Sequence, residues 1–264
     1  MIQELRRGIF NKWNIVIVIF IVTFMFLNAY YSGWKTGLSA MSASDILNLE
    51  DKIYFAQYFG NTYKVWFDAY YSISIFAPLL LVIPYILSYR EELNNKFRYF
   101  MISRQGYNKY IFKKFVAILF SGLVVVVISE LLFYCVTYFF TYAIINHELF
   151  ENFVRYRLDW FKSDPFGYFV HILLLRYIYY AVLLIFSIGI TSFIKSKIAI
   201  IVTPFLTITI LDVIIPKVYA PFSMIKPYSY DYFNYINFGV VLIILFFVGI
   251  CAFVVNEKVV RNRG

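Results

Sequence analysis

Apolar runs of about twenty residues recur along this chain, and they constrain its fold more than any other feature. One of them, NFGVVLIILFFVGICAFVV at residues 237–255, contains no charged side chain. A helix rises ~1.5 Å per residue, so about 20 residues cross the ~30 Å hydrocarbon core of a bilayer. Hydrophobic residues make up 62% of the chain, against roughly half in soluble domains, so the sequence predicts an all-α membrane protein.

Six segments are predicted to cross the membrane, and together they make residues 1–264 a single transmembrane domain. Windows of apolar residues place the six spans at 14–31, 69–88, 115–143, 167–193, 198–215 and 237–255. The three longer connections opposite the N-terminus, at 32–68, 144–166 and 216–236, are predicted to be loops. Their many aromatic residues are typical of chain at the membrane interface.

The distribution of Lys and Arg predicts the orientation of these spans. Of the 24 basic residues, fifteen lie on the side of the N-terminus, eight lie on the other side, and Arg176 lies within a span. Cytoplasmic loops carry the excess of Lys and Arg, so both termini are expected inside the cell. Ile2, Leu5, Ile9 and Phe10 share one helical face before the first span, which predicts an N-terminal helix lying in the interface.

A basic stretch between the second and third spans is longer than a simple connection needs. This stretch, REELNNKFRYFMISRQGYNKYIFKK at 90–114, holds seven Lys or Arg residues. Leu93, Phe97, Phe100 and Met101 fall on one face of a helix that Gly106 would end. Such a segment either lies on anionic headgroups or docks another protein. Its length favours docking, because two other spans are joined by the short turn at 194–197.

This layout resembles the ABC-2 type transporter permeases, the membrane subunits of bacterial ABC exporters. The likeness covers the whole chain in its six spans, its cytoplasmic termini and its long first cytoplasmic loop. The residues of that loop that match the family's order of features are Arg90-Glu91-Glu92, Phe97 to Ile102, Ser103-Arg104 and Lys113-Lys114. The loop departs from the family in Asn94-Asn95, where Gly-Thr is usual, and in having no Pro before the turn.

The resemblance implies an amphipathic cytoplasmic coupling helix that inserts into a groove of a separate ATP-binding subunit. The residues that it implies for ATPase coupling are Glu91, Glu92, Phe97, Arg98, Phe100, Met101 and Arg104. It further implies a transport subunit, not an enzyme, paired with a second copy or a paralogue in the bacterial cytoplasmic membrane. Its cargo would be amphipathic or hydrophobic: a peptide such as an antimicrobial one, a lipid or a drug.

Motifs for bound cofactors are missing from the sequence. The chain has no G-x-x-x-x-G-K-[ST] motif, so ATP is expected on the partner subunit and no cofactor is expected to bind directly. Cys135 and Cys251 lie in apolar runs, which argues against a disulfide or a zinc site. We predict no catalytic residue, no metal and no nucleic-acid partner.

Three ionisable residues, Glu130, Arg176 and Asp212, lie within predicted spans. Burying a charge in hydrocarbon is costly, so such residues are usually paired or functional. Counting from the helix ends puts all three within about 10 Å of one another in depth. One interpretation is an ion pair of Arg176 with Glu130 or Asp212 that locks helices together. The other is a polar patch along a substrate path.

Two other classes of protein remain open from the sequence. Glu91-Glu92, followed by Lys96, resembles the start of the EE-x-x-x-R motif of CAAX-type intramembrane proteases, but with Lys in place of Arg. Neither His147 nor His171 begins the H-x-x-x-[ND] motif that would complete such a site. An ATP-independent secondary transporter is favoured only by Pro residues inside two of the spans.

Overall fold

The computed structural model describes residues 6, 9–10, 12–44, 48–83, 86, 97–141, 154–229 and 233–262. Within these ranges every regular element is helical. The α-helices are α1 (Lys12–Ala29), α2 (Lys35–Ser42), α3 (Leu49–Phe59), α4 (Thr62–Leu80), α5 (Phe97–Gln105), α6 (Tyr107–Tyr138), α7 (Leu158–Ser163), α8 (Pro165–Thr191), α9 (Lys197–Ile214), α10 (Pro221–Ile225) and α11 (Tyr235–Asn262). A π-helical turn, Tyr30–Trp34, joins α1 to α2, and a 3-10 turn, Pro227–Ser229, follows α10.

Five helical segments of the described chain are long and apolar enough to cross a membrane. They are 13–42, 107–138, 165–191, 197–214 and 235–259. The chain is therefore a multi-pass helical membrane protein, and the five segments correspond to the predicted first, third, fourth, fifth and sixth spans.

The predicted second span, 69–88, differs from the helix found in that region. Helix α4 begins seven residues earlier, at Thr62, and includes Lys64 and Asp68 in its first two turns. These two charges, which form an ion pair at 2.5 Å, lower the mean hydropathy of α4. Residues 84–85 and 87–88 lie outside the described chain. A total of six spans therefore stays a prediction.

The prediction of a loop over 32–68 is wrong. The first helix continues through the π-helical turn and α2 to Ser42, and α3 packs back against it. Gly33 makes this packing possible, since a Cβ atom there would lie 2.8 Å from the Phe59 carbonyl oxygen. Small residues allow two helix backbones to approach closely, which average polarity does not indicate.

Side-chain caps explain where several helices begin. The Asn61 side chain accepts a hydrogen bond from the Tyr63 amide at the start of α4, at 2.9 Å. The Asp164 carboxylate accepts from the Gly167 amide at the start of α8, also at 2.9 Å, directly before Pro165. These caps satisfy amide groups that have no partner within the first turn of a helix.

Hydrogen bonds between distant parts of the chain show which helix ends meet. At one end, Thr62 at the start of α4 bonds to Thr141 beyond α6, at 2.7 Å. At the other, the Tyr107 hydroxyl at the start of α6 donates to the Glu257 carboxylate near the end of α11, at 2.5 Å. We call the first the loop end and the second the basic end. Helices α4 and α6 are therefore antiparallel, as predicted for neighbouring spans.

Helix α8 lies at the centre of the bundle and packs against α4, α6, α7, α9, α10 and α11. Its closest neighbour is α11, which runs parallel to it. A Cβ atom on Gly189 of α8 would lie 2.2 Å from the Gly249 carbonyl oxygen of α11. The two backbones are thus in direct contact, and no side chain fits between them.

We predict that Gly249→Ala lowers the apparent melting temperature of the protein in mild detergent. The new methyl group would lie 2.6 Å from the Phe186 Cα atom of α8, so the helices must separate. Overpacking of this kind costs about 1–3 kcal/mol.

The matched control for that variant is Gly239→Ala on the same helix, where an added Cβ atom has no neighbour within 4 Å among the described residues. Because Ala has the higher helix propensity, this control should keep or raise the melting temperature. Equal effects of the two substitutions would contradict a specific role for the Gly189–Gly249 contact.

Candidate functional site

Helix α5 is a short helix at the basic end of the bundle. The Phe100 side chain is 55% exposed, and the Arg104 guanidinium group lies 5.4 Å from the centre of its ring. Ser103 and Arg104 are also exposed, while Met101 is half-buried. The helix therefore presents an accessible aromatic ring next to a positive charge.

A sharp turn at Gly106 separates α5 from α6. Its φ angle is +80°, a conformation that residues with a Cβ atom rarely adopt. The Gly106 amide donates to the Ile102 carbonyl oxygen at 2.8 Å and completes the last turn of α5. The sequence prediction of a break at Gly106 is confirmed.

Side-chain bonds hold the start of α6 in place next to α5. The Lys113 ammonium group donates to the Gln105 side chain at 2.6 Å and so bridges the turn. The Tyr107 hydroxyl reaches the Glu257 carboxylate of α11, as described above. Helix α6 then continues without interruption for 32 residues to Tyr138. A force on α5 would therefore be passed into one long helix.

The structure locates only part of the predicted coupling set. Phe100, Met101 and Arg104 lie together on α5. The backbone of Phe97 and Arg98 forms its first turn, and their side chains are not described. Glu91 and Glu92 lie outside the described residues, as does most of the predicted interfacial helix at the N-terminus.

A fully buried ion pair lies inside the bundle, between α6 and α8. The Arg176 guanidinium Nη2 faces the Glu130 carboxylate Oε1, and both side chains are 0% exposed. The Tyr177 hydroxyl donates to the other Glu130 carboxylate oxygen at 2.8 Å. Of the two pairings that the sequence allowed, the structure therefore shows the one with Glu130.

Aromatic rings complete the surroundings of Arg176. The guanidinium carbon lies 3.6 Å from the centre of the Tyr70 ring of α4 and 5.3 Å from that of Tyr180. The negative face of a ring attracts a cation most strongly where water is excluded. The pair thus joins three helices: α4 through Tyr70, α6 through Glu130, and α8 through Arg176.

Some polar groups near this pair lack hydrogen-bond partners. Among the described residues, Arg176 Nε and Nη1 and the Tyr180 hydroxyl have none, although all three are buried. Such groups are costly in a dry interior, so the cluster gains stability from any water or polar ligand that reaches them. Its geometry fits an ion pair that holds the helices together, and it also fits a polar site along a substrate path.

Asp212 takes a different role from the other two intramembrane charges. It lies two residues before the end of α9, and its carboxylate accepts a hydrogen bond from the Phe222 amide at 2.6 Å. It therefore caps the first turn of α10, and the predicted alternative pair with Arg176 does not form. Lys226 lies nearby and is 5% exposed. Burial lowers the pKa of Lys226 to about 8, and the charge of Asp212 partly offsets that effect.

Sequence reasoning missed the tyrosines around the ion pair. Tyr180 follows Arg176 by four residues and so lies on the same helical face, which the spacing could have indicated. The proximity of Tyr70 has no sequence signal, because it depends on how α4 packs against α8. His171, which does not begin the protease motif, bonds to the Tyr235 hydroxyl at 2.8 Å near the loop end.

Comparison of the chain with protein-family models, with curated proteins and with solved structures finds no match.

We predict that Arg176→Ala strongly lowers the yield and the apparent melting temperature in mild detergent. The substitution leaves the Glu130 carboxylate buried without its counter-charge, and breaking a buried pair costs about 3–5 kcal/mol. The double variant Arg176→Met/Glu130→Leu should recover much of this loss, because it removes both charges.

The control for Arg176→Ala is Arg104→Ala, which removes an exposed arginine and should leave the melting temperature unchanged. Normal yield and stability of Arg176→Ala together with lost transport would contradict the structural role. That result would favour the polar-path interpretation.

Lys226 gives a prediction about pH. Its folded-state pKa is lowered to about 8, against 10.5 in the unfolded chain, so the unfolded state binds more protons between these values. Stability should therefore rise as the pH rises from about 8 towards 10. Below pH 8 the lysine is charged in both states, and the full cost of burying its charge lowers the stability. Thermal melts from pH 7 to 9.5 should show this rise in the wild type and a weaker one in Lys226→Met. If the melting temperatures of the wild type and Lys226→Met change with pH to the same extent, Lys226 is not the group responsible.

Proposed function

We propose that this chain is the membrane-spanning permease subunit of an ATP-driven exporter in the bacterial cytoplasmic membrane. In this proposal the chain has six spans, with α4 continuing as the second, and the basic end and both termini face the cytoplasm. A separate subunit binds and hydrolyses ATP, and a second permease copy or paralogue completes the path. The chain itself is not an enzyme.

The observation that carries the proposal is the geometry of α5. An aromatic ring that is 55% exposed and stacked with Arg104 extends from the same end as the basic C-terminal segment. Aromatic and arginine side chains are the residues that most often anchor protein interfaces. A segment held only by lipid headgroups would gain from the arginine but does not need the rigid connection through Gly106 and Lys113.

The proposed coupling runs from α5 to the centre of the bundle. Closure of the ATP-binding subunits moves α5, and the turn at Gly106 passes this movement to α6. Helix α6 carries Glu130, whose ion pair with Arg176 connects it to α8. The movement therefore reaches α8 through the uninterrupted helix α6 and the Glu130–Arg176 ion pair.

The cargo in this proposal is an amphipathic or hydrophobic compound: a peptide such as an antimicrobial one, a lipid or a drug. Two cavities of the described chain are lined almost entirely by apolar groups, and apolar pockets with few polar groups suit such compounds.

A pull-down from native membranes tests the proposal. We expect an ATP-binding subunit to co-purify with the tagged chain in mild detergent. The charge reversals Arg98→Glu and Arg104→Glu, and the truncation Phe100→Ala, should release that subunit while the melting temperature stays unchanged.

Two matched variants make this test specific. Phe112→Ala truncates another exposed phenylalanine, 64% exposed, in the membrane-proximal part of α6. Lys217→Glu reverses an exposed charge at the loop end. Both should keep the ATP-binding subunit. If no such subunit co-purifies with the wild type, the exporter assignment is wrong and the carrier or enzyme classes take its place.

A further inference from the structure

A deep apolar cleft lies between α9 and α11, with α8 as its floor. Both helices pack against α8, and in the described chain they make few contacts with each other. The cleft has a volume of about 590 Å³, which is within the range of small-molecule sites. Its lining includes Phe186 and Ile190 of α8, Thr207 of α9, Ile215 after it, and Ile244 and Val248 of α11.

The α11 wall of the cleft is about as long as one membrane leaflet is deep. On α9 the lining residues are Thr207 and Leu211, and Ile215 follows directly after the helix; on α11 the lining extends from Val240 to Val248, about 12 Å along the helix axis. A leaflet contributes about half of the ~30 Å hydrocarbon core. The lining on α9 and α11 lies in the half of each helix nearest the loop end, and Phe186 and Ile190 of α8 extend the cleft towards the basic end. Ile244 and Val248 line it and are 55% and 47% exposed, so it opens sideways to the bilayer.

A basic residue lies in the turn that borders the cleft at the loop end. Lys217 is exposed and belongs to the turn between two lining residues, Ile215 and Tyr219. The Tyr219 amide donates to the Pro216 carbonyl oxygen at 2.8 Å and closes this turn. The nearest intramembrane carboxylate, Asp212, is engaged by the Phe222 amide. An anionic group next to a hydrocarbon chain would therefore match both the lining and this lysine.

We propose that the cleft holds one acyl chain of an anionic phospholipid from the surrounding leaflet, with its phosphate at Lys217. The acyl chain fills the space between α9 and α11, two helices that make few contacts with each other. This site does not depend on the exporter assignment, because it uses neither α5 nor an ATP-binding subunit.

Native mass spectrometry of the full chain tests the acyl-chain site. The protein is purified in mild detergent with an equal mixture of phosphatidylglycerol and phosphatidylcholine, and the retained lipids are counted. Ile244→Trp fills the cleft and should retain one phospholipid fewer than the wild type. Ile243→Trp is the matched control, since Ile243 is 57% exposed on the same helix but does not line the cleft.

A second variant protects the test from a folding artefact. Val240→Trp fills the same cleft from one turn away and should also lose one lipid. Equal lipid counts in wild type, Ile244→Trp and Val240→Trp would overturn the proposal. So would an equal loss in Ile243→Trp.

The headgroup is tested separately with Lys217→Gln. This variant should keep the same number of lipids but lose the preference for phosphatidylglycerol, so that the retained ratio falls to that of the supplied mixture. Lys195→Gln removes an exposed lysine near the other end of α8 and should leave the preference unchanged. A preference that persists in Lys217→Gln would overturn the phosphate assignment.

Discussion

A guanidinium group and a carboxylate in the interior of a membrane bundle must satisfy one another, and the Arg176–Glu130 pair imposes this condition on three helices at once. Neither charge is exposed, so removing either one leaves the other in a medium of low polarity. The Tyr70 ring brings α4 into the same arrangement. The relative depth and rotation of α4, α6 and α8 are thus fixed by polar geometry, where apolar packing alone would tolerate small shifts.

The pair also connects the two halves of the proposed mechanism. Helix α6 has its first turn beside α5 and Glu257 and carries Glu130 about six turns further along. An event at the basic end can therefore act on the central helix without passing through a flexible loop. The long uninterrupted α6 and the sharp break at Gly106 are complementary, because a force is transmitted only if the helix receiving it is stiff and its contact with the driving element is defined.

Much of this architecture follows from the sequence, because hydrocarbon leaves few alternatives. Long apolar runs must be helical, and an arginine among them requires a carboxylate. The same reasoning could not choose between Glu130 and Asp212, since both lie at similar counted depth, and Asp212 is instead engaged by a backbone amide that leaves no mark in the sequence. The hairpin of α2 and α3 was missed for a related reason. It depends on Gly33 lying against the Phe59 carbonyl group, a contact between residues that share no pattern.

The direct backbone contact between Gly189 and Gly249 makes the two walls of the cleft unequal. A methyl group at either position would collide with the main chain of the other helix, so α8 and α11 keep this close approach only while both residues are glycine. In the described chain α9 makes few contacts with α11, and only three of its residues, Ile200, Pro204 and Ile208, are buried. The floor and one wall of the cleft are therefore joined by main-chain contact, whereas the opposite wall, α9 and the turn that follows it, is not joined to α11 in this way.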